Sequence, residues 1–421
     1  IAVDTTDNHT VYTGFQFGNY FRLERPAPGA PYEQERITPQ HDLGERPLRF
    51  NWQTPIHLSS HNADILYLGA QKLYRSLNRG TDWEAISDDL TRGGRPGDVP
   101  YGTLTSIDES PLQFGLLVAG SDDGLVHVSE DGGHTWRNAS AGLPPDLWVS
   151  RVEASPHDPQ RLWVALNGYR WDHFDAYVFR SDDLGRTWTR VGTDLPAEPV
   201  NVIAEDPERP ELLYVGTDHG LYASLDGGAT FGAFVGPEGE AAGEGRLPNA
   251  PVHDLVVHPR DRDLVVATHG RSLYVADVEH VQGLTPEVLA GGLHLFGTET
   301  VEHTDRWGSR GWTWDEPVVP EVRFAYFAPA SGEATLTVAD STGAVAARTD
   351  AAERGLNFIT YSLAFDPEFV REGHEAADDE RVYLRPGTYT VTLELGGEAV
   401  GETLTVEPGP APPARGRKKT P

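Results

Sequence analysis

The sequence contains no cysteine and no methionine, and its lysines are confined to Lys72, Lys418 and Lys419. Without cysteine the chain has no disulfide framework, no thiol nucleophile and no cysteine zinc site. Its 64 acidic and 34 basic residues give a formal net charge of −30, which argues against nucleic acid as a partner because phosphates require a basic surface. No apolar run approaches the roughly 18 residues of a membrane-spanning helix, so we expect no membrane span.

The start of the chain also lacks an initiator methionine and a recognisable signal peptide. Residues 1–3, Ile-Ala-Val, have the pattern of the end of a strand. We therefore expect a fragment whose N-terminal segment, with any export signal, lies outside this sequence. What the chain has in quantity is 45 glycines and 32 prolines, without long helical periodicity. This composition favours a β protein with many tight turns, and nothing in it predicts a cofactor.

An eight-residue pattern, S-x-D-x-G-x-T-W, occurs at residues 129–136 and 181–188, and at 224–231 with Phe in place of Trp. A weaker copy occupies residues 76–83. Repeats at intervals of about 40–50 residues indicate propellers, solenoids or arrays. The pattern resembles the Asp-box, or BNR repeat, of sialidases, xyloglucanases, sortilin-type receptors and photosystem assembly factors. The resemblance implies a β-propeller whose boxes lie on the face away from the ligand.

The residue types of the repeat are explained by structure alone. The acidic or amide side chain can accept hydrogen bonds from backbone N–H groups of its own turn, and the closing aromatic ring can wedge between neighbouring sheets. We therefore predict structural roles for both positions in every copy. The residues concerned are Asn78, Trp83, Asp131, Trp136, Asp183, Trp188, Asp226 and Phe231.

Alternating apolar strands divide the chain into repeats at 52–98, 103–147, 149–196, 200–248 and 252–297, after a partial one in 1–50. Residues 51–271 resemble large bacterial proteins described as sortilin-like (VPS10) or WD40/YVTN/BNR-like "glycosyl hydrolase". The predicted fold is all-β: an Asp-box (BNR) β-propeller, an incomplete ring in this fragment, followed by an immunoglobulin-like β-sandwich. The predicted domains are listed here in order: propeller 1–298, linker 299–317, Ig-like or FlgD-like sandwich 318–407, and disordered tail 408–421.

The loops at the end of the propeller opposite the repeat hairpins are the expected place for a binding site. The insertion at residues 169–175 is the most distinctive of them, because it interrupts an otherwise constant loop length. Its aromatic residues could stack on a sugar, although packing against a neighbouring blade explains them equally. The predicted ligand-binding residues are Tyr169, Arg170, Trp171, His173, Phe174, His219, His253, His269 and Arg271.

The first strands of the repeats carry a second set of polar residues in one register: Thr54, Thr105, Ser150, Asn201 and His253. Arg151 and Asp254 follow two of them. We expect these side chains to form a ring near the central channel, where they either bind water and backbone or line a binding surface.

Catalysis by a glycosidase needs two carboxyl groups across a cleft, and the weak candidates are Asp122, Asp123, Asp172, Asp175 and Asp218. A sialidase would also need an arginine cluster and a tyrosine nucleophile. His173 with Asp172 and Asp175, or His219 with Asp218, lacks the spacing of a zinc or calcium motif, so no metal site is predicted. No Ser/His/Asp arrangement can be recognised from spacing.

Two hypotheses for function follow. The first is an exported, sortilin-like module without catalytic activity, secreted, periplasmic or on the cell surface, that binds a protein, peptide or glycan. The alternative is a glycoside hydrolase acting on a polysaccharide, as sialidase- and xyloglucanase-like propellers do. A carboxyl pair with one raised pKa would favour the second hypothesis, and an evenly polar loop face would favour the first.

Overall fold

The structure is a computed structural model that describes residues 1–97, 99–234, 247–312 and 314–409. Its regular secondary structure is almost entirely β-strand, with only two short α-helices and two 3-10 turns in the described part. The chain forms two compact units, Ile1–Asp277 and Val278–Pro421. Nearly all of the predicted tail, 408–421, lies outside the described residues.

The described part of the first unit forms six consecutive antiparallel sheets, in each of which the strands follow one another in chain order. Sheet 1 contains β1 (Ala2–Val3), β2 (Thr10–Phe15), β3 (Asn19–Glu24) and β4 (Glu33–Arg36). Sheet 2 contains β5 (Ile56–Leu58), β6 (Leu66–Gly69), β7 (Leu73–Ser76) and β8 (Glu84–Ala85). Sheet 3 contains β9 (Leu104–Glu109), β10 (Leu117–Ser121), β11 (Val126–Ser129) and β12 (Arg137–Asn138).

The next three sheets repeat this plan. Sheet 4 contains β13 (Trp148–Ala154), β14 (Leu162–Asn167), β15 (Tyr177–Ser181) and β16 (Thr189–Val191). Sheet 5 contains β17 (Val200–Glu205), β18 (Leu213–Thr217), β19 (Leu221–Ser224) and β20 (Gly232–Ala233). Sheet 6 has three strands, β21 (Val252–His258), β22 (Asp263–Thr268) and β23 (Leu273–Asp277).

The second strand of each of sheets 2 to 5 is buried on both faces. Such strands read as continuous apolar runs rather than alternating ones, because a neighbouring sheet covers each side. The first strands lie next to one another: Thr105 Oγ1 donates to the carbonyl oxygen of Val149 at 2.6 Å, and Ser150 Oγ donates to that of Val200 at 2.8 Å. The sheets are therefore arranged as the blades of a β-propeller.

The repeat hairpins join the third and fourth strands and have the predicted turn geometry. Asp131 accepts hydrogen bonds from the backbone N–H of Thr135 at 2.9 Å and from its hydroxyl at 2.7 Å. These bonds lower the pKa of Asp131 to about 2, and Asp183 has the equivalent bonds and the same pKa. Each carboxylate thus binds a backbone N–H group and a hydroxyl group within its own turn.

The aromatic residue of each hairpin contacts the preceding sheet. Trp136 Nε1 donates to the carbonyl oxygen of Ile86 at 2.8 Å, and Trp188 Nε1 donates to that of Ala139 at 2.7 Å. Trp136 packs against the apolar cluster between sheets 2 and 3. The two indoles therefore lie between neighbouring blades.

The sixth sheet differs from the others on one face. The face of sheet 5 that points towards sheet 6 is covered, because a Cβ atom added to Gly216 would lie only 2.6 Å from the side chain of Val252 in sheet 6. In sheet 6 the side chains of Val256, Leu273 and Val275 are exposed. This face of sheet 6 is apolar and open to solvent.

The second unit begins with two short helices, α1 (Glu279–Gln282) and α2 (Pro286–Ala290). One sheet has the order β24 (His294–Leu295), β26 (Val322–Ala328), β29 (Gly355–Tyr361). The other has the order β25 (Val301–His303), β31 (Glu398–Pro408), β30 (Gly387–Leu395), β27 (Gly332–Asp340), β28 (Gly343–Ala352). Side chains from both sheets form one core, which includes Phe324, Tyr361, Leu336 and Val391.

The predicted boundary between the units differs from the observed one. The compact units divide after Asp277, whereas the sequence predicts a division after residue 298. The predicted linker, 299–317, contains β25, which pairs in parallel with β31, and Trp307, which is buried in the core of the second unit. The stretch is rich in Trp, Arg and Gly, a composition that predicts a linker, and the strand that pairs with β25 lies far along the chain.

Candidate functional site

A pocket of about 290 Å³ lies at the end of the sheets where their first strands begin, which we call the top end. Its walls are formed by Asn51, Trp52, Val99, Pro100, Tyr101, Asp122, Trp148, Arg170 and Trp171. Four of these residues are aromatic, and the side chains of Trp52 and Trp171 remain 54% and 51% exposed. The repeat hairpins lie at the opposite end of the sheets, because they follow the third strands.

The pocket residues come together because sheets 2 to 4 present equivalent segments to the same end. Trp52 and Tyr101 precede β5 and β9, and Trp148 begins β13. Asp122 lies in the turn after β10, and Arg170 lies in the insertion after β14. In an antiparallel meander the entry to the first strand and the turn after the second strand share one end, so the pocket is a consequence of the topology.

Asp122 supports the pocket from below. Its side chain is 2% exposed and accepts hydrogen bonds from the backbone N–H groups of Gly102 and Thr103, both at 3.0 Å, and from the Thr103 hydroxyl at 2.6 Å. Burial raises the pKa of Asp122. The neighbouring Asp123 is also buried and accepts from Ser121 Oγ and the backbone N–H of Arg92. Both of these candidate catalytic carboxylates are therefore buried and hold loops.

The insertion is held in a defined conformation beside the pocket. Residues Tyr169–Trp171 form a single turn of 3-10 helix, which ends at Asp172 in the left-handed region with φ of 54°. The Arg170 guanidinium lies 4.0 Å from the ring centroid of Trp148 and 4.7 Å from that of Tyr169. These cation–π contacts fix Arg170 and leave the indole of Trp171 exposed at the pocket.

The remaining insertion residues form a separate group outside the pocket lining. His173 Nε2 lies 2.9 Å from the Tyr177 hydroxyl and 3.5 Å from Asp175, while Asp172 and Phe174 are exposed. In the part of the chain that the structure describes, no group of three or more His, Asp or Glu side chains is arranged to hold a metal ion. Asp172 and Asp175 thus remain solvent-facing carboxylates.

The predicted histidines lie at the top end of sheets 5 and 6. The rings of His253 and His269 are 5.1 Å apart, and burial, followed by the neighbouring His269, lowers the pKa of His253. His219 Nδ1 lies 3.4 Å from Glu198. Asp218 accepts a hydrogen bond from Asn201 at 3.0 Å, and Arg271 is exposed. None of these residues lines the aromatic pocket described above.

Three members of the predicted polar ring bond to backbone. Thr105 and Ser150 donate to the first strand of the next sheet, and Thr54 Oγ1 donates to the carbonyl oxygen of Asn51 at 2.9 Å. These three residues fasten the structure rather than present free groups to a ligand, which is one of the two roles that the sequence allows. Arg151 and Asp254 form an ion pair instead.

Two acidic residues on the first strands, Asp108 and Glu153, are not among the functional residues that the sequence predicts. Asp108 Oδ2 accepts from the backbone N–H of Ala154 at 2.7 Å, and Glu153 Oε1 accepts from that of Glu205 at 2.9 Å. Burial raises the pKa of both carboxyl groups. Each carboxylate therefore accepts a hydrogen bond from the first strand of the next sheet, on the edge of that strand that has no partner within its own sheet. The sequence contains a signal for both residues. Asp108 lies three residues after Thr105, and Glu153 lies three residues after Ser150, and both of those are members of the polar ring.

A larger pocket, about 570 Å³, lies beside the repeat hairpin of sheet 3, and its lining includes Arg75, His127, Trp136 and Asn138. Burial lowers the pKa of His127 to about 4, so this imidazole is neutral near pH 7. The Trp136 indole is already engaged between the sheets. We regard the top pocket as the better candidate because its aromatic rings remain exposed and the insertion lies against it.

No family model matches the chain. It is 28% identical over 198 residues to a xyloglucanase of Hypocrea jecorina, covering 46% of this chain and 22% of that protein. It is 30% identical over 142 residues to a probable oligoxyloglucan-reducing end-specific xyloglucanase of Neosartorya fischeri, covering 31% and 17%. The chain thus spans about a fifth of the length of these curated relatives. Among solved structures, a GH74 enzyme of Niastella koreensis aligns with a TM-score of 0.48 at 14% identity, covering 95% of this chain and 64% of that one.

Proposed function

We propose that this chain is part of a glycoside hydrolase that acts on xyloglucan-type polysaccharides, and that its top pocket binds a short stretch of the glucan. The curated relatives are named as xyloglucanases, and they support a hydrolase better than the non-catalytic module that the sequence analysis placed first. In this proposal the repeat hairpins are Asp-boxes, the second unit is an immunoglobulin-like sandwich, and the protein is exported.

The observation that carries the proposal is the aromatic lining of the pocket. Trp52, Tyr101, Trp148 and Trp171 supply flat apolar surfaces, and the C–H faces of pyranose rings pack on such surfaces while their hydroxyls remain hydrated. The volume of about 290 Å³ lies at the lower end of the usual range of about 300–1,000 Å³ for small-molecule sites. A neutral glycan also avoids repulsion by the net charge of −30.

The carboxylates divide into two groups by their environment. Asp122 and Asp123 are buried and hold backbone groups, so they are unsuited to proton transfer with a bound glycan. Asp172 and Asp175 are exposed on the insertion that carries Trp171. These two residues lie outside the pocket lining, and we propose them for proton transfer to a glycan that extends from the pocket past Trp171, because a hydrolase needs two carboxyl groups beside the scissile bond.

Binding is tested by titrating the 421-residue chain with a xyloglucan oligosaccharide in a calorimeter. We expect Trp171→Ala and Trp52→Ala each to weaken binding by about tenfold, because each removes an aromatic surface. Phe114→Ala is the matched control, since Phe114 is similarly exposed but lies between β9 and β10 at the other end of sheet 3. Unchanged affinity in both tryptophan variants would contradict the pocket assignment.

Catalysis is tested by the release of reducing ends from xyloglucan, with Asp172→Asn/Asp175→Asn beside the unmodified chain. We expect release by the unmodified chain and its loss in the double variant. Binding that depends on Trp171 without any release would instead support a non-catalytic glycan-binding module. Release that survives in the double variant would place the catalytic acids elsewhere.

A further inference from the structure

Two tryptophans in the second unit are largely exposed and stacked on each other. The ring centroids of Trp312 and Trp314 are 5.3 Å apart, with an angle of 6° between the planes. Their side chains are 66% and 76% exposed. Trp307, only a few residues away, is buried in the core of the same unit. Exposure of large aromatic rings in one patch is a mark of an interaction site.

The loop that carries the pair is held by hydrogen bonds. Asp315 Oδ2 accepts from the backbone N–H of Trp312 at 2.9 Å, and the N–H of Asp315 donates to the carbonyl oxygen of Trp312 at 3.0 Å. At the base of the loop, Gly308 N–H donates to Val318 at 2.8 Å and Val318 N–H donates to Ser309 at 3.0 Å. These hydrogen bonds restrain Trp312 and the described residues at the base of the loop, which reduces the entropy lost on binding.

We propose that Trp312 and Trp314 form a second glycan-binding platform, which packs against pyranose rings of a polysaccharide chain. Stacking covers one face of each indole, and the other faces remain available for the C–H face of a sugar. The choice of a polysaccharide rests on the proposed function. Arg310 and Glu316 are exposed in the same loop with opposite charges, and such a mixed border suits a neutral ligand rich in hydroxyl groups.

The charge of the chain argues against a membrane as the occupant. With a net charge of −30, the protein is repelled from anionic lipid headgroups. Exposed tryptophans alone would not offset that repulsion in the way that a basic surface does. A platform separate from the pocket has a specific consequence: it strengthens retention on a polymer without changing the affinity of the pocket for a short oligosaccharide.

The test uses retention of the 421-residue chain on insoluble cellulose coated with xyloglucan. We expect Trp312→Ala/Trp314→Ala to weaken retention by about tenfold, and Trp312→Phe/Trp314→Phe to restore most of it, because phenylalanine keeps an aromatic face. Phe358→Ala is the control for loss of an exposed ring elsewhere in the second unit. Thermal unfolding checks that each variant folds.

The platform and the pocket are distinguished by Trp171→Ala. We expect this variant to bind oligosaccharide at the pocket about tenfold more weakly and, because it keeps the platform, to remain on the polymer. If the pocket proves not to bind oligosaccharide at all, retention that depends on Trp312 and Trp314 still supports the platform. Equal retention of the double alanine variant and the unmodified chain would overturn it. Failure of the unmodified chain to be retained, or its binding to phosphatidylserine vesicles in place of polymer, would also overturn it.

Discussion

The guanidinium of Arg151 is paired with the carboxylate of Asp254, although the two residues lie in β13 and β21, which are the first strands of sheets 4 and 6. The first strand of sheet 5 lies between them in the chain. A contact between sheets 4 and 6 that bypasses sheet 5 requires the first strands of the three sheets to curve around a common axis. The same inner side carries Asp108 and Glu153, whose carboxylates bind the edge of the next strand. Charged side chains thus fasten the inner wall of the propeller.

Removing one partner of this pair is expected to cause a modest loss of stability. Both side chains retain substantial exposure, 31% for Arg151 and 55% for Asp254, so we expect Asp254→Ala to lower the free energy of unfolding by about 1 kcal/mol. Urea unfolding at low and high salt measures this, and the loss should shrink at high salt. Asp261→Ala is the control, because it breaks an ion pair between two adjacent residues, Arg260 and Asp261, whose side chains are 78% and 46% exposed. An equal loss in both variants would argue against a special role for the inner pair.

Asp122 and Asp175 are expected to respond differently to the same substitution. Asp122→Asn places an amide beside the backbone N–H groups and hydroxyl that the carboxylate now accepts from. We expect a loss of about 2 kcal/mol, since hydrogen bonds to a charged acceptor contribute about 1.5–3 kcal/mol. Asp175→Asn, on the exposed insertion, should change the free energy of unfolding by less than about 0.5 kcal/mol. Denaturant titration measures the free energy of unfolding of both variants. A similar loss in the two variants would contradict the roles assigned to Asp122 and Asp175.

The repeating fold could be predicted because its determinants are local. The glycines, the carboxylate and the closing aromatic residue of each hairpin lie within eight residues, and in sheets 3 and 4 the carboxylate bonds within its own turn while the indole bonds to the preceding sheet. The start of the second unit could not be found in this way. Strand β25 pairs with β31, which lies far along the chain, and pairing at such a distance leaves no periodic signal in the short strand itself.

The candidate site could likewise be predicted only where its determinants are local in the sequence. The insertion was visible in the sequence because it breaks a regular loop length, and it places Arg170 and Trp171 at the pocket. Trp52, Tyr101 and Trp148 were not identified, since only the packing of three successive sheets brings their strand entries together. The burial of Asp122 was also not predictable, because its partners are backbone groups of the neighbouring strand entry.

The indole of Trp136 has two separable contributions to stability. We expect Trp136→Phe to lose mainly the hydrogen bond to the carbonyl oxygen of Ile86, at a cost of about 1 kcal/mol. Trp136→Ala also removes the packing between sheets 2 and 3, so it should lose about 3 kcal/mol. Thermal and urea unfolding measure both. If oligosaccharide affinity fell in a folded Trp136→Phe protein, the hairpin would have a role in binding that its position at the far end does not predict.

Glu153 gives a prediction about pH. Burial raises the pKa of its carboxyl group well above the usual range, and the charges of Asp108 and Glu205 raise it further, against the effect of Arg151. A folded-state pKa above the unfolded value means that the contribution to stability is fully present below the unfolded pKa of about 4.3 and is lost as pH rises through the folded pKa. We therefore expect the unmodified protein to lose stability relative to Glu153→Gln as the pH rises above the unfolded pKa of about 4.3.

The comparison with alanine separates the charge of Glu153 from its hydrogen bond. The amide oxygen of Glu153→Gln can still accept from the backbone N–H of Glu205, as the carboxylate does at 2.9 Å. Glu153→Ala leaves that N–H without this acceptor, so its stability should be lower than that of the glutamine variant by about 1–3 kcal/mol at every pH. Free energies of unfolding measured by urea at a series of pH values give both differences. A glutamine variant whose stability runs parallel to that of the unmodified protein would show that Glu153 titrates normally, and that the inner wall tolerates its charge.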